Sequence, residues 1–421
     1  LGAGGFIGRH ILVELLAAGH EVTAVVRKPD SLAAAFPQVQ VLALNLARET
    51  DPRAWHSRLA GIDCIVNAAG NLRGAEMEAV HTLMPRALYA AANLAGVKHV
   101  LLISAISARP DAGTDYAETK LAGEEVLRAS EVAWTILRPS LVYGDGSYGG
   151  TSLMRGLAGL PFLIPLPGKG DFTFTPIHAR DLACSVALIC EDSRFFGKTL
   201  EPVGPDTLDL RDLLARYRAW LGFGPARFMT VPMPVMFLLA RVGDIAGDGP
   251  ISTNSLKQMI AGNFGDSEEY VSAIGFAPRS LDDVLRTRPA EVQDRWHARL
   301  FFLAPAIRAV LVLLWLVSAW LGFFHGAAAT HALGDAFGLP PGWEDPLRLG
   351  GSFADIGVAM LIFLDRDARW STPIQLAVVA GYTLVIGIGL PQLWFDPLGP
   401  LIKNIPILLL VAVHGIVGNR R

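Results

Sequence analysis

Four apolar runs crowd into the last third of this chain, at 309–329, 351–364, 373–395 and 401–417. A backbone in hydrocarbon must satisfy its own N–H and C=O groups, which leaves helices and closed barrels as the only spanning structures. A helical crossing takes about 20 mostly apolar residues. The first and third runs reach that length, and the second and fourth need flanking residues to do so. Buried helices of a soluble core are the alternative, and four such runs in succession argue against it. The expected arrangement is an all-α transmembrane four-helix bundle over 299–421.

Positive charge alternates around these runs. Arg286, Arg288, Arg295 and Arg299 precede the first, Arg366 and Arg369 separate the second from the third, and Arg420 and Arg421 follow the fourth. The other two loops hold only Arg348 and Lys403. The positive-inside rule then puts both ends of the bundle, and whatever precedes it, on the cytoplasmic side of a bacterial inner membrane.

Apolar residues make up 52% of the 421-residue chain and charged ones 18%, with the excess of apolar residues lying beyond about residue 300. A net charge of −3 gives no basis for nucleic-acid binding. Cys64, Cys184 and Cys190 have no metal-ligand or CxxC spacing, so no metal site is expected. Each sits in an apolar stretch and reads as a small core residue in a reducing compartment.

Up to about residue 298 short apolar strands alternate with longer helices. Strands are expected at 21–26, 39–44, 64–67, 100–104 and 134–138, and helices at 9–18, 31–36, 52–59, 76–95 and 116–130. That alternation implies a doubly wound parallel sheet covered on both faces, the α/β Rossmann class. Leu1 stands where a first strand would end, which predicts that residues of that strand precede it. From 141 to 285 the pattern is broken by Gly and Pro and reads as a substrate lobe, with helices at 182–189, 208–221 and 235–245. Residues 235–240 are apolar enough to touch a bilayer, and a core helix is the preferred reading.

The chemistry is concentrated early. Gly2-Ala3-Gly4-Gly5-Phe6-Ile7-Gly8 places glycines at 2, 5 and 8 ahead of a helix. A glycine turn lets the backbone approach a pyrophosphate, and the helix N-terminus offers unpaired N–H groups and the positive end of a dipole. Val26-Arg27-Lys28 closes the second strand with two cations where an acidic residue would bind a ribose 2′-OH, which favours NADP(H) over NAD(H); a solvated basic turn is the bland alternative. Tyr116 and Lys120 lie four apart and so share one face of a helix. Lys120 can lower the phenol pKa and hold a ribose, and Tyr116 can exchange a proton with a carbonyl or alcohol. A surface Tyr–Lys pair is the competing reading.

With the GxxGxxG spacing, the YxxxK pair, Asn67-Ala68-Ala69-Gly70, Leu137-Arg138-Pro139-Ser140 and Pro176-Ile177-His178-Ala179-Arg180-Asp181, residues 1–285 resemble the atypical and extended short-chain dehydrogenases/reductases, near the branch of the NADPH-binding accessory subunit of respiratory complex I. The resemblance implies a cofactor site of Gly2, Gly5, Phe6, Ile7, Gly8, Arg27, Lys28, Asn45, Leu46, Ala68, Ala69, Gly70, Lys120 and Pro139. It implies catalysis by Tyr116 and Lys120 with a hydroxyl at the end of the preceding strand. In many extended members that hydroxyl sits where this chain has Ala105, so Ser104 or Ser107 would have to substitute. His178 and Asp181 read as structural.

Pro397-Leu398-Gly399-Pro400-Leu401 with Lys403-Asn404-Ile405-Pro406 is similar to the DoxX-like membrane family. Asp355, Lys403, Asn404 and His414 lie in or beside the spans and read as interfacial anchors or interhelical hydrogen bonds, with a polar pocket for a quinone-like head group as the sharper alternative. His331 is placed in the loop after the first span. Together these readings describe a membrane-anchored NADP(H)-dependent oxidoreductase on a small lipophilic carbonyl, alcohol or quinone-like substrate. A nonenzymatic NADPH-binding assembly or redox-sensing module, partnered with a membrane complex or a second copy, is the alternative.

Overall fold

A computed structural model describes the chain except residues 73, 147, 247–251, 398 and 419–421. Leu398, Arg420 and Arg421, used above, therefore lie outside the described residues. The chain divides into two compact units, Leu1–Ala298 and Arg299–Arg421.

In the first unit, strands β1 (Thr23–Val26), β2 (Gln40–Ala43), β3 (Cys64–Asn67), β4 (His99–Ile103), β5 (Trp134–Leu137) and β6 (Lys198–Leu200) form the main layer. β1 and β2 pair in parallel, and β6, β5, β4 and β3 follow one another in parallel. Leu1 and Gly2 join the two sets. The Gly2 amide donates to Val25 O at 3.1 Å, and the Ala68 amide donates to Leu1 O at 3.1 Å. The order is thus β2-β1-Leu1-β3-β4-β5-β6, all strands parallel. The chain adds strands to one side of Leu1 and then to the other, so that the glycine turn begins where the strand order reverses.

β4 shows why this is an inner strand. All five of its residues are buried. Val100 and Leu102 face a core built with Leu88, Ala92 and Ile136, whereas Leu101 and Ile103 face one built with Ile11, Leu182 and Val186. Successive strand residues point to opposite faces, so a strand covered on both sides must be apolar throughout. The covering helices include α1 (Phe6–Ala17), α2 (Met84–Ala95), α3 (Asp115–Arg128) and α4 (Ala179–Glu191). The expected helix from 76 to 95 is interrupted: Ala79–Leu83 is a π-turn that leads into α2.

Of the lobe expected at 141–285, α4 and β6 belong to the main layer, and the rest has a core of its own, including Ile164, Leu166, Phe174, Leu213, Tyr217 and Leu281. The helix α5 (Met233–Ala246) differs from expectation. It is not a core helix. Ala240 is buried, but Val235, Leu238, Leu239, Val242 and Ile245 are exposed. One face packs on the lobe, and an apolar stripe on the other meets no described residue closely enough to cover it.

In the second unit, three helices are long and apolar enough to cross a membrane: Val292–His325, which starts in the first unit, Glu344–Leu364 and Ser371–Gly389. The fourth apolar run forms a shorter helix, Asn404–Gly418, because its N-terminal flank, which was expected to lengthen it, turns instead. His331 lies in a further helix, Ala327–Phe337, and not in a loop. Ile307, Leu311, Val358, Ile362, Val379 and Val411 build the interior. Asp355 is buried there and accepts hydrogen bonds from Ser318 Oγ at 2.6 Å and Tyr382 OH at 3.1 Å, while Asn404 donates to Thr383 Oγ1 at 2.8 Å. These are interhelical ties of the kind that hold bundles together in lipid.

Candidate functional site

The site grows from the turn that ends the central strand position. Gly2 has φ +76°, a left-handed conformation open to glycine at little cost. The Gly5 amide donates to Gly2 O at 2.9 Å, closing the turn, and Gly5 precedes α1. A Cβ at Gly8 would overlap the Gly2 carbonyl, and a Cβ at Gly2 would lie 2.9 Å from Ala68 O. Glycine therefore sets how closely α1, the turn and the loop after β3 approach one another. Phe6, Ile7 and Gly8 form the first turn of α1, whose N–H groups have no partner inside the helix. The first turn carries no acidic side chain. Unpaired N–H groups at a helix start with no acidic side chain have the backbone chemistry that suits an anionic diphosphate.

The other expected cofactor residues take mixed positions. Arg27 and Lys28 are exposed directly after β1, beside the turn. Asn45 caps a 3-10 turn, accepting from the Ala47 amide at 3.2 Å, and Leu46 is core. The Ala69 amide donates to Asn67 Oδ1 at 3.2 Å, which fixes the loop after β3. Pro139 is buried after β5 and its carbonyl accepts from the Ile106 amide at 3.0 Å.

Thr114 starts α3, its hydroxyl accepting from the Ala117 amide at 3.2 Å. Tyr116 and Lys120 then share a face, with Lys120 Nζ 6.0 Å from the centre of the phenol ring. The ammonium donates to Ile103 O at 3.0 Å at the end of β4. It also lies 3.0 Å from where a Gly70 Cβ would be, so the ammonium packs closely against the loop after β3. Burial lowers the Lys120 pKa to about 8, partly opposed by the negative charge of Glu124. Burial raises the Tyr116 phenol to about 12, so in this state desolvation outweighs the lowering expected from Lys120.

Two features of the site were not read from the sequence. His81 is buried on the π-turn, with its ring 5.7 Å from that of Tyr116 in an edge-on arrangement. Its Nε2 accepts from the Asn71 amide at 3.1 Å, and its Nδ1 lies 2.9 Å from Thr119 Oγ1. Burial, with Lys120 adding repulsion, lowers its pKa to about 3 and keeps it neutral. It clips the loop after β3 to the helix that carries Tyr116. A π-turn within a helix often marks a functional site, but it leaves no sequence signature comparable to YxxxK.

The second feature is Glu124, one turn beyond Lys120 and fully buried. Its carboxylate accepts from Arg138 Nε at 2.8 Å, Arg138 Nη2 at 2.7 Å and Arg128 Nη2 at 2.8 Å. Ser104 Oγ donates to the same carboxylate at 2.6 Å, so its hydroxyl belongs to this network. Ser107 is buried as well. His178 and Asp181 bind Arg279 through side-chain contacts of 2.8 and 3.0 Å, a structural use of both. Among the described residues no cluster of His, Cys, Asp or Glu could hold a metal ion.

Residues 2–157 match the NAD(P)H-binding family model, and residues 312–412 match the DoxX-like family. The chain therefore carries an NAD(P)H-binding domain of the short-chain dehydrogenase/reductase type. A DoxX-like domain follows it, and the apolar helices there make this a membrane-associated protein.

A ceramide reductase of Caulobacter vibrioides is 29% identical over 45% of this chain and 59% of its own length. The mouse NADH dehydrogenase [ubiquinone] 1 alpha subcomplex subunit 9 is 23% identical over 62% of this chain and 69% of its own. The chain thus spans about three fifths of the first of these relatives. An NADPH-dependent quinone oxidoreductase from Escherichia coli, solved with NADPH, shares the fold with a TM-score of 0.55 at 20% identity, covering 68% of this chain and 97% of that one.

Proposed function

We propose that the protein is a membrane-anchored, NADP(H)-dependent oxidoreductase acting on a lipophilic carbonyl, alcohol or quinone-like substrate. The observation that carries this reading is the convergence of Tyr116, Lys120 and the Gly70 loop beside the glycine turn. When bound, the reduced cofactor supplies a hydride. Tyr116 gives its phenolic proton to the substrate oxygen as negative charge develops there, and Lys120 keeps an ammonium beside the phenol. Gly2, Gly5, Phe6, Ile7, Gly8, Ala68, Ala69 and Gly70 line the cofactor path. Arg27 and Lys28 supply charge for a 2′-phosphate, which is why NADP(H) is chosen over NAD(H). Residues 1–298 form the cofactor domain, with its substrate lobe within 141–285 apart from α4 and β6, which belong to the main sheet layer, and 299–421 form the membrane domain. Arg286, Arg288, Arg295, Arg299, Arg366 and Arg369 orient the cofactor domain toward the cytoplasm of a bacterial cell. The ceramide reductase among the relatives supports a reductase that works next to a membrane.

The test uses the whole protein in lipid nanodiscs, supplied with NADPH and a panel of quinones, isoprenoid aldehydes and sterol ketones, with nicotinamide oxidation followed by absorbance. Tyr116→Phe should abolish turnover and leave NADPH affinity unchanged, and equal turnover in the variant overturns the assignment. A second reading is favoured by Ala105 and by the engagement of Ser104 with Glu124: the chain binds NADPH tightly, without turnover, as an assembly or sensing module. It is supported if cofactor co-purifies and stays unoxidised with every acceptor in the panel.

A further inference from the structure

We infer that the substrate lobe itself docks on the bilayer, through the outward stripe of α5 together with Phe162 and Leu163. The occupant of this apolar surface is lipid. The inference rests on the membrane-anchored reading and does not depend on whether the site turns over substrate.

The stripe is regular. Val235, Leu238, Leu239, Val242 and Ile245 recur at spacings of three and four, which gathers them on one side of the helix. Ile245 is 85% exposed and Leu238 62%, values foreign to a helix meant to face water. The opposite face is also apolar, with Ala240 buried and Met233 beside Gly168. A helix apolar on both faces and packed on one of them calls for a second apolar environment. Arg241 is exposed at the margin of the stripe, where a long cationic stem can lie along acyl chains with its head among phosphates.

The lobe also grips the start of a membrane-crossing helix. Ala298, in the first turns of Val292–His325, lies against Gly159, where an added Cβ would come within 2.8 Å of the alanine Cβ. Arg295 lies against Gly222 in the same way, and Arg155 is 3.5 Å from Asp294. Three residues beyond Gly159, Phe162 is 81% exposed and Leu163 47%. Trp296, on the helix between these contacts, is 65% exposed, an aromatic of the kind that sits at headgroup level. Leu163 leads into the strand Ile164–Pro167, which pairs in parallel with Phe228–Val231, and α5 follows that strand directly. The apolar surface therefore belongs to the lobe that packs on the first residues of Val292–His325.

The test is photolabelling of the unmodified full chain in vesicles of phosphatidylcholine and phosphatidylglycerol containing a diazirine-bearing phospholipid, with adducts mapped by peptide mass spectrometry. Adducts are expected in peptides covering 159–164 and 233–246 as well as in the spans, and Leu238→Glu with Val242→Glu should lower the yield at 233–246 severalfold while NADPH affinity is kept. Adducts confined to the spans overturn the inference. So does a bifunctional cross-linker joining 233–246 of two copies in place of lipid adducts, since the surface would then be a contact between copies. Turnover measured on the same samples reports separately on the proposed chemistry.

Discussion

Glu124→Ala tests the buried charge network under the site. Glu124 is fully buried and takes three hydrogen bonds from two guanidinium groups and one from Ser104. The Arg138 side chain is 17% exposed and the Arg128 side chain 34%. Removing the carboxylate strands the Arg138 guanidinium in a site that water barely reaches, while Arg128 recovers most of its hydration. Breaking one side of a buried pair costs about 3–5 kcal/mol. A domain is stable by only about 5–15 kcal/mol, so the variant loses a large share of that margin. For a unit of this size each kcal/mol moves the midpoint by about 2 °C, so the first unit should melt about 5–10 °C lower.

The assay is thermal unfolding of the whole protein in nanodiscs, with the first unit read by loss of protection of its β4 and β5 peptides from hydrogen exchange. The control is Glu125→Ala, an exposed neighbour, which should move the midpoint by no more than about 1 °C. Glu124→Leu combined with Arg138→Leu should regain part of the loss, because replacing both partners leaves no buried unpaired charge. If Glu124→Ala melts with the control, the network does not hold β4, β5 and α3 together as argued.

Three further outcomes follow from the site. Gly8→Val should abolish NADPH binding, measured by calorimetry, because its Cβ would overlap the Gly2 carbonyl and force the turn away from the helix start. Lys120 has its folded pKa lowered to about 8 from 10.5, so between those values the unfolded chain holds more protons and stability rises with pH, by up to about 3 kcal/mol in all. Lys120→Met should flatten that rise in denaturant titrations, and an unchanged slope would show that the ammonium is not desolvated. His81 has its folded pKa lowered to about 3 from 6.5, so its contribution is complete above pH 6.5 and lost as pH falls toward 3. His81→Gln should reduce that acid sensitivity and lower kcat with little change in cofactor affinity, as expected of a residue that positions the Tyr116 helix.

The sequence by itself determined what depends on local spacing. A glycine turn before a helix, Tyr116 and Lys120 four apart, and apolar runs long enough for a bilayer are all set by short-range geometry, and the strand and helix alternation follows from two periodicities. The parallel sheet and a strand position ending at Leu1 were implied by the same pattern, whereas the place of Leu1 between β1 and β3 came from the hydrogen bonds of the folded chain. Only the tertiary structure decided how residues distant along the chain are used. Ser104 turns to Glu124 because Arg138, from the next strand, gathers that carboxylate beneath β4. His81 reaches the site because a π-turn swings it between the Gly70 loop and Thr119. The same limit explains α5 and the fourth apolar run. Hydrophobicity says that a helix wants an apolar neighbour, but whether that neighbour is protein or lipid depends on which face the rest of the chain leaves uncovered, and no local pattern records that.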